Sequence, residues 1–150
     1  MANIQVTKRD GQYEDLDLEK MHKVVFYACE NITGVSPSEV EIKSHISFYN
    51  GITSTEIQET LIKSAADLIS EDTPNYQWVA GRLINYHLRK MVYNQFQPLP
   101  IKVIVEKNVE LGFYDAEILV KYTDEEWKQF DTIVKHERDE EMTYAAMEQW

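Results

Sequence analysis

The chain has 150 residues, 43% hydrophobic and 11% aromatic, enough to fold as one domain with a real core or as a domain plus an appendage. Its net charge of −11 excludes a general nucleic-acid binder, which needs a broad basic surface to release counterions. A single cysteine, Cys29, excludes an internal disulfide, a zinc ribbon and dithiol chemistry within the chain. With no signal peptide and no apolar run of membrane-spanning length, the reading is a protein of the reducing cytoplasm, away from membranes.

In chain order, Ile4 to Lys8 and Gln12 to Leu16 read as two short strands joined around Asp10-Gly11, a strong hairpin signal. Asp17 can cap the helix that follows, in which Met21, Val24, Val25 and Ala28 have apolar helical spacing and Cys29 reads as a buried, inert thiol. Ser36-Pro-Ser-Glu39 has the form of a capping box with proline at the first helical position, which predicts a second helix running to about Tyr49 and ended by Asn50-Gly51. Thr53-Ser-Thr-Glu56 predicts a third helix with Ile57, Leu61, Ala65, Leu68 and Ile69 along one face. Thr73-Pro74 opens a fourth, long helix carrying Trp78, Val79, Leu83 and Tyr86, which gives out near Pro98-Leu-Pro100. Beyond that boundary the spacing predicts a helix over 101–111 ended by Gly112, a helix capped by Thr123-Asp-Glu-Glu126 running to about His136, and a further helical pattern over 142–150 that stops unfinished. The expected fold is therefore mainly α: a small β-hairpin cap on a four-helix bundle in residues 1–97, then extra helices in residues 98–150.

Charge is uneven. Residues 1–97 carry nine lysines and arginines against thirteen carboxylates, and residues 98–150 carry six against thirteen. Lys8 and Arg9 flank the hairpin turn, Lys20 and Lys23 with His22 open the first helix, and His87, Arg89 and Lys90 come late on the long helix. Read singly, the first group fits a solvated turn and the second an ordinary polar face. His87 and Lys90, three apart, share a helix face, and a long helix running back alongside the hairpin would bring Lys90 near Lys8. Three cation groups around one helix amino terminus suit a triphosphate, since free N–H groups and the helix dipole also favour an anion there. Glu14 and Asp17 would then face base or sugar, where carboxylates accept from amino and hydroxyl groups.

No catalytic arrangement accompanies these cations. There is no Gly-Lys-Ser/Thr loop and no His-Glu-x-x-His, and the histidines stand apart at 22, 45, 87 and 136, so no catalytic residue and no metal site are expected. His136-Glu-Arg-Asp139 reads as a charge cluster at a helix end.

Val6-Thr-Lys-Arg-Asp-Gly11 with Glu14 and Lys20 resembles the opening of the ATP-cone domain. The likeness continues through Ser44-His-Ile-x-Phe-Tyr-x-Gly51-Ile, Ile62-Lys-x-Ala-Ala-Asp-Leu-Ile-Ser70, Pro74-x-Tyr-Gln and Ala80-x-Arg-Leu-x-x-x-His-Leu-Arg-Lys90. Past the cone, Gly112-x-Tyr-Asp115, Tyr122-Thr-x-Glu-Glu126, His136-x-Arg-Asp139 and Thr143-Tyr-Ala-Ala146 resemble the helical region that precedes the catalytic barrel in the large subunit of class Ia ribonucleotide reductase. Each motif is short, but together they span essentially the whole chain.

This resemblance implies an allosteric overall-activity site for deoxyribonucleotide synthesis, at which ATP activates and dATP inhibits by changing subunit assembly, with Mg2+ accompanying the nucleotide. The implied partners are the rest of the large subunit and the small radical-generating subunit, in an oligomer. Carried over by position, Lys8 meets phosphate with Arg9 nearby, and Glu14, Asp15, Leu16, Asp17, Leu18, Glu19 and Lys20 wrap the nucleotide, Glu14 and Asp17 reading the base. Ser54 stands near sugar and phosphates, and Lys90 is the distal phosphate clamp. Two positions depart from the family pattern. Asp17 replaces a common Asn, losing a donor and adding charge, and Gln58 replaces a frequent His; both bear on telling dATP from ATP. Ser54 in place of threonine keeps the hydroxyl. The missing redox cysteines imply a regulatory piece of a longer chain or the product of a split or truncated gene. The alternative is a cone that has lost its nucleotide and survives as a subunit-interaction surface. The nucleotide-sensing repressor that also uses a cone is excluded, because its zinc ribbon needs several cysteines.

Overall fold

The computed structural model describes residues 3–149. The chain opens with a hairpin, β1 (Gln5–Thr7) and β2 (Tyr13–Asp15), and continues through α1 (Leu18–Cys29), α2 (Pro37–His45), α3 (Ser54–Asp67) and α4 (Tyr76–Tyr93). Then come α5 (Ile101–Glu110), α6 (Glu117–Lys121), α7 (Asp124–Ile133), a 3-10 helix (His136–Glu141) and α8 (Tyr144–Glu148). It is mainly α with one small antiparallel sheet, as the sequence predicts. It packs as two compact units, residues 3–88 with 139–149 and residues 89–138.

In the first unit the hairpin pairs Gln5 with Asp15, Val6 with Glu14 and Thr7 with Tyr13. The turn holds three residues, Arg9 to Gly11. The N–H of Gly11 donates to the carbonyl of Lys8, and that of Lys8 to the carbonyl of Gln12. Gly11 takes φ +83°, a left-handed conformation that glycine adopts without penalty. A two-stranded hairpin alone is marginal in water. Here the free edge of β1 is stitched to residues 50–53: Gly51 N–H donates to Gln5 carbonyl (2.8 Å), Thr7 N–H to Ile52 carbonyl (2.9 Å), and Thr7 bridges Thr53 in parallel.

Val6 turns inward from β1 and joins one buried cluster with Met21, Val25 and Ala28 of α1, Val40 of α2, Ile57, Leu61 and Ala65 of α3, and Tyr76, Val79 and Leu83 of α4. This is the helical spacing of the sequence realised as one core. Burying each large aliphatic side chain contributes about 1.5–3 kcal/mol. Cys29 is buried among them and desolvation pushes its thiol up to about 11, so it stays protonated and unreactive at neutral pH.

Two helix starts of the same form behave differently. At Thr53 the capping box closes, with the hydroxyl accepting from Glu56 N–H and the Glu56 carboxylate accepting from Thr53 N–H (2.8 Å). At Ser36 it does not close. The Ser36 N–H donates to the Tyr76 hydroxyl (2.9 Å), and that hydroxyl donates to Glu39 (2.8 Å). A tyrosine from α4 is thus inserted into the box. Tyr76→Phe should therefore cost about 1–3 kcal/mol by leaving the Ser36 N–H unpaired, a loss visible as a lower urea midpoint at unchanged slope. The second helix also ends earlier than predicted, at His45, because residues 46–49 leave the helical path for the turn that reaches Gly51 at φ +90°.

The end of the first unit closes on α4. Gly81 lies directly against the backbone of Met142 and Thr143. Arg82 reaches the carbonyls of Glu30 (2.7 Å) and Glu140 (3.4 Å), tying the end of α1 to the stretch before α8. The predicted helix over 142–150 is a short one, Tyr144–Glu148, whose preceding residues Met142 and Thr143 lie against α4; position 150 lies outside the described residues.

The second unit is built on α5 to α7. The Thr123 box closes over α7 as predicted, although α7 ends at Ile133. Trp127 packs edge-on to Tyr122 and Phe130, and Lys102 of α5 pairs with Asp124 of α7 at 2.7 Å.

Candidate functional site

The parallel bridge between Thr7 and Thr53 joins the hairpin strand that ends at Lys8 to the chain that enters α3 at Ser54, although the two are far apart in sequence. Ser54 is the first residue of α3, where backbone N–H groups lack intrahelical partners. On the other side β2 passes through Leu16, whose N–H donates to Ile4 carbonyl, straight into the α1 cap. Asp17 is that cap and accepts from Lys20 N–H at 3.1 Å. The hairpin turn, the start of α1 and the start of α3 are therefore held by one hydrogen-bonded framework.

The charges on this framework are engaged with one another. Lys8 Nζ lies 3.3 Å from Glu14 and Lys20 Nζ lies 3.7 Å from Asp17, with all four side chains open to solvent. Exposed pairs of this kind are worth about 0–1 kcal/mol, so an anion with more charge can exchange for the carboxylates at small cost. Asp15 accepts from Gln5, while Leu18 and Glu19 are exposed in the first turn of α1.

Residues 4–91 match the ATP cone domain. The chain belongs to the ATP-cone family. Nearly its whole length is similar to ribonucleoside-diphosphate reductase alpha subunits. Identity to subunit alpha of reductase 1 of Escherichia coli (strain K12) is 51% over 147 residues, which is 98% of this chain and 19% of that protein. The Haemophilus influenzae subunit alpha is 47% identical over 147 residues, again 98% and 19%. That of Enterobacteria phage T4 is 40% identical over 148 residues, 97% and 19%. The chain thus spans about one-fifth of the length of these relatives.

Within the cone, Lys8, Arg9, Glu14, Asp17, Lys20 and Ser54 lie on the joined hairpin, α1 and α3 starts. Lys90 is near the end of α4, in the second unit, with its ammonium 5.1 Å from the Phe96 ring centroid. His87, read from sequence as one of a cationic trio, is instead buried at 9% exposure, with Nδ1 unpartnered among the described residues. Its spacing from Leu83 and Val79, four and eight residues back on the buried stripe of α4, was the available signal. Among the described residues no group of three or more His, Cys, Asp or Glu side chains is arranged to hold a metal, and no helix is long and apolar enough to cross a membrane.

Proposed function

We propose that this chain is the allosteric overall-activity module of a ribonucleotide reductase large subunit, with residues 1–97 binding nucleotide and residues 98–150 beginning the helical region that follows. ATP with Mg2+ is the activating ligand and dATP the competing, inhibitory one. Catalysis belongs to the remainder of the large subunit acting with the small radical-generating subunit, in a cytoplasmic oligomer; this chain contributes no catalytic residue.

The observation that supports the reading is the β1 stitch to residues 50–53, which joins the hairpin to the start of α3 within the stretch matched to the cone family. The triphosphate is received by Lys8, Arg9 and Lys20 and by the N–H groups opening α3, where the helix dipole adds its partial positive charge. Glu14 and Asp17, released from their lysines, accept from base and sugar. Asp15, Leu16, Leu18 and Glu19 form the backbone wrap between them. Lys90 enters through the family resemblance as a further phosphate contact.

Thermal unfolding with and without MgATP tests this reading. A ligand at about 100 times its Kd stabilises by about 2.7 kcal/mol, a shift of several degrees for a chain of this size. Lys90→Ala should reduce that shift and weaken triphosphate affinity by about 1.5–3 kcal/mol, the cost of losing one charge-assisted contact, without altering the ligand-free melting curve. Unchanged affinity would remove Lys90 from the site. No shift with either ATP or dATP would support the second reading, a cone kept as a subunit-interaction surface. Asp17, already spent as the α1 cap, and Gln58 favour that alternative.

A further inference from the structure

The hairpin framework and residues 139–149 meet the two ends of one helix. At its amino terminus α1 is capped by Asp17, next to the hairpin. At its carboxyl terminus the last carbonyls lack intrahelical partners, and α1 has no basic residue in its own last turn to meet them. Arg82 of α4 fills that role. Its Nη1 donates to the carbonyls of Glu30 (2.7 Å) and Ala28 (3.4 Å). The same guanidinium donates through Nε to the carbonyl of Glu140 (3.4 Å), so one planar, permanently charged group joins the end of α1 to the segment 139–149.

That segment is seated as well as tethered. The backbone of Met142 and Thr143 fills the space that a side chain at position 81 would need, and Tyr144 packs against the core cluster. Thr143 accepts from Ala146 N–H (3.2 Å) and so caps α8 in place. The match to the cone family ends at residue 91, yet the compact unit that contains the hairpin includes residues 139–149.

Resting on the nucleotide reading above, we infer that residues 139–149 form a strap coupled to the nucleotide site through Arg82 and α1. Arg82 is a positioning residue here and not a ligand contact. A nucleotide held by the hairpin and by the starts of α1 and α3 needs α1 fixed at one end, and the docked strap fixes it at the other. Each event spares the other part of the cost of ordering α1, so the two are cooperative and the coupling is reciprocal. Nucleotide tightens the strap, and release of the strap weakens nucleotide binding. Coupling of this kind is ordinarily worth about 5- to 150-fold in affinity.

Hydrogen–deuterium exchange of the whole chain with and without saturating MgATP tests this, read in peptides covering 139–149, with thermal stabilisation recorded in parallel. The expected result is exchange in 139–149 slowed at least about fivefold by MgATP in the wild type and unchanged by it in Arg82→Gln, which lacks the clamp. Thermal stabilisation by MgATP with unmoved exchange in 139–149 would overturn the inference and leave the nucleotide reading intact. No stabilisation and no change in exchange would overturn both. Slowing that persists in Arg82→Gln would overturn the assignment of Arg82. Gly81→Ala keeps the test open should Arg82→Gln fail to fold, since its added methyl meets Met142 and Thr143 and loosens the strap with Arg82 still present. It should weaken MgATP affinity at least about fivefold. A released strap with unchanged affinity would contradict the coupling.

Discussion

Gly81→Ala should destabilise the chain by about 1–3 kcal/mol, the ordinary cost of forcing a methyl into a filled space. Helix propensity alone predicts the opposite, because alanine is the better helix former by roughly 1 kcal/mol. Packing reverses the sign. A Cβ at position 81 would run into the carbonyl oxygen of Met142 and come within 3.0 Å of the Thr143 carbonyl carbon. Those atoms are backbone and cannot rotate away as a side-chain tip could. They are also anchored on both sides, by Arg82 on the carbonyl of Glu140 and by the Thr143 cap of α8. The substitution must push α4 or release residues 139–149. Denaturant unfolding reads the first effect, and limited proteolysis reads release of the segment as new cleavage within it. An unchanged or higher unfolding midpoint would refute this account of Gly81.

Lys8→Ala should weaken ATP binding by about 1.5–3 kcal/mol, roughly 10- to 150-fold, while lowering stability by less than about 1 kcal/mol. The asymmetry follows from the two partners of the same ammonium. Without nucleotide it holds Glu14 in an exposed pair, which is worth little. In the proposed complex it would meet phosphate, where charge-assisted contacts and the helix dipole act together. The variant also leaves Glu14 as an uncompensated carboxylate next to the incoming anion, which pushes the loss toward the upper end of the range. Titration of wild type and variant under one salt condition measures it. Equal affinities would mean that the triphosphate binds away from the hairpin turn.

How much of this was legible in the sequence depended on whether the deciding contact was local. The Asp17 and Thr53 caps are local, formed with Lys20 and Glu56 three residues on, and the structure has both. The Ser36 box has the same local form but was decided by Tyr76, forty residues away, whose hydroxyl took the N–H and the carboxylate that would have met. Asp10-Gly11 marked the hairpin correctly, but not the three-residue turn that places Arg9 within it. The site shows the same division. Lys8, Glu14, Asp17 and Lys20 could be read as one segment. That the start of α3 is joined to this segment depends on a bridge between Thr7 and Thr53, which has no sequence signature of its own. His87 was read as part of a cationic face with Lys90, although its spacing from Val79 and Leu83 puts it on the buried stripe of α4.

The central claim is that this chain binds adenine nucleotides by itself. Isothermal titration calorimetry of the chain with MgATP, then with dATP in the presence of ATP, tests it most directly. The account predicts a saturable heat with ATP that is lost or reduced in Lys8→Ala, and displacement of ATP by dATP. No heat from either nucleotide up to millimolar concentration, from a chain shown to be folded, would contradict it.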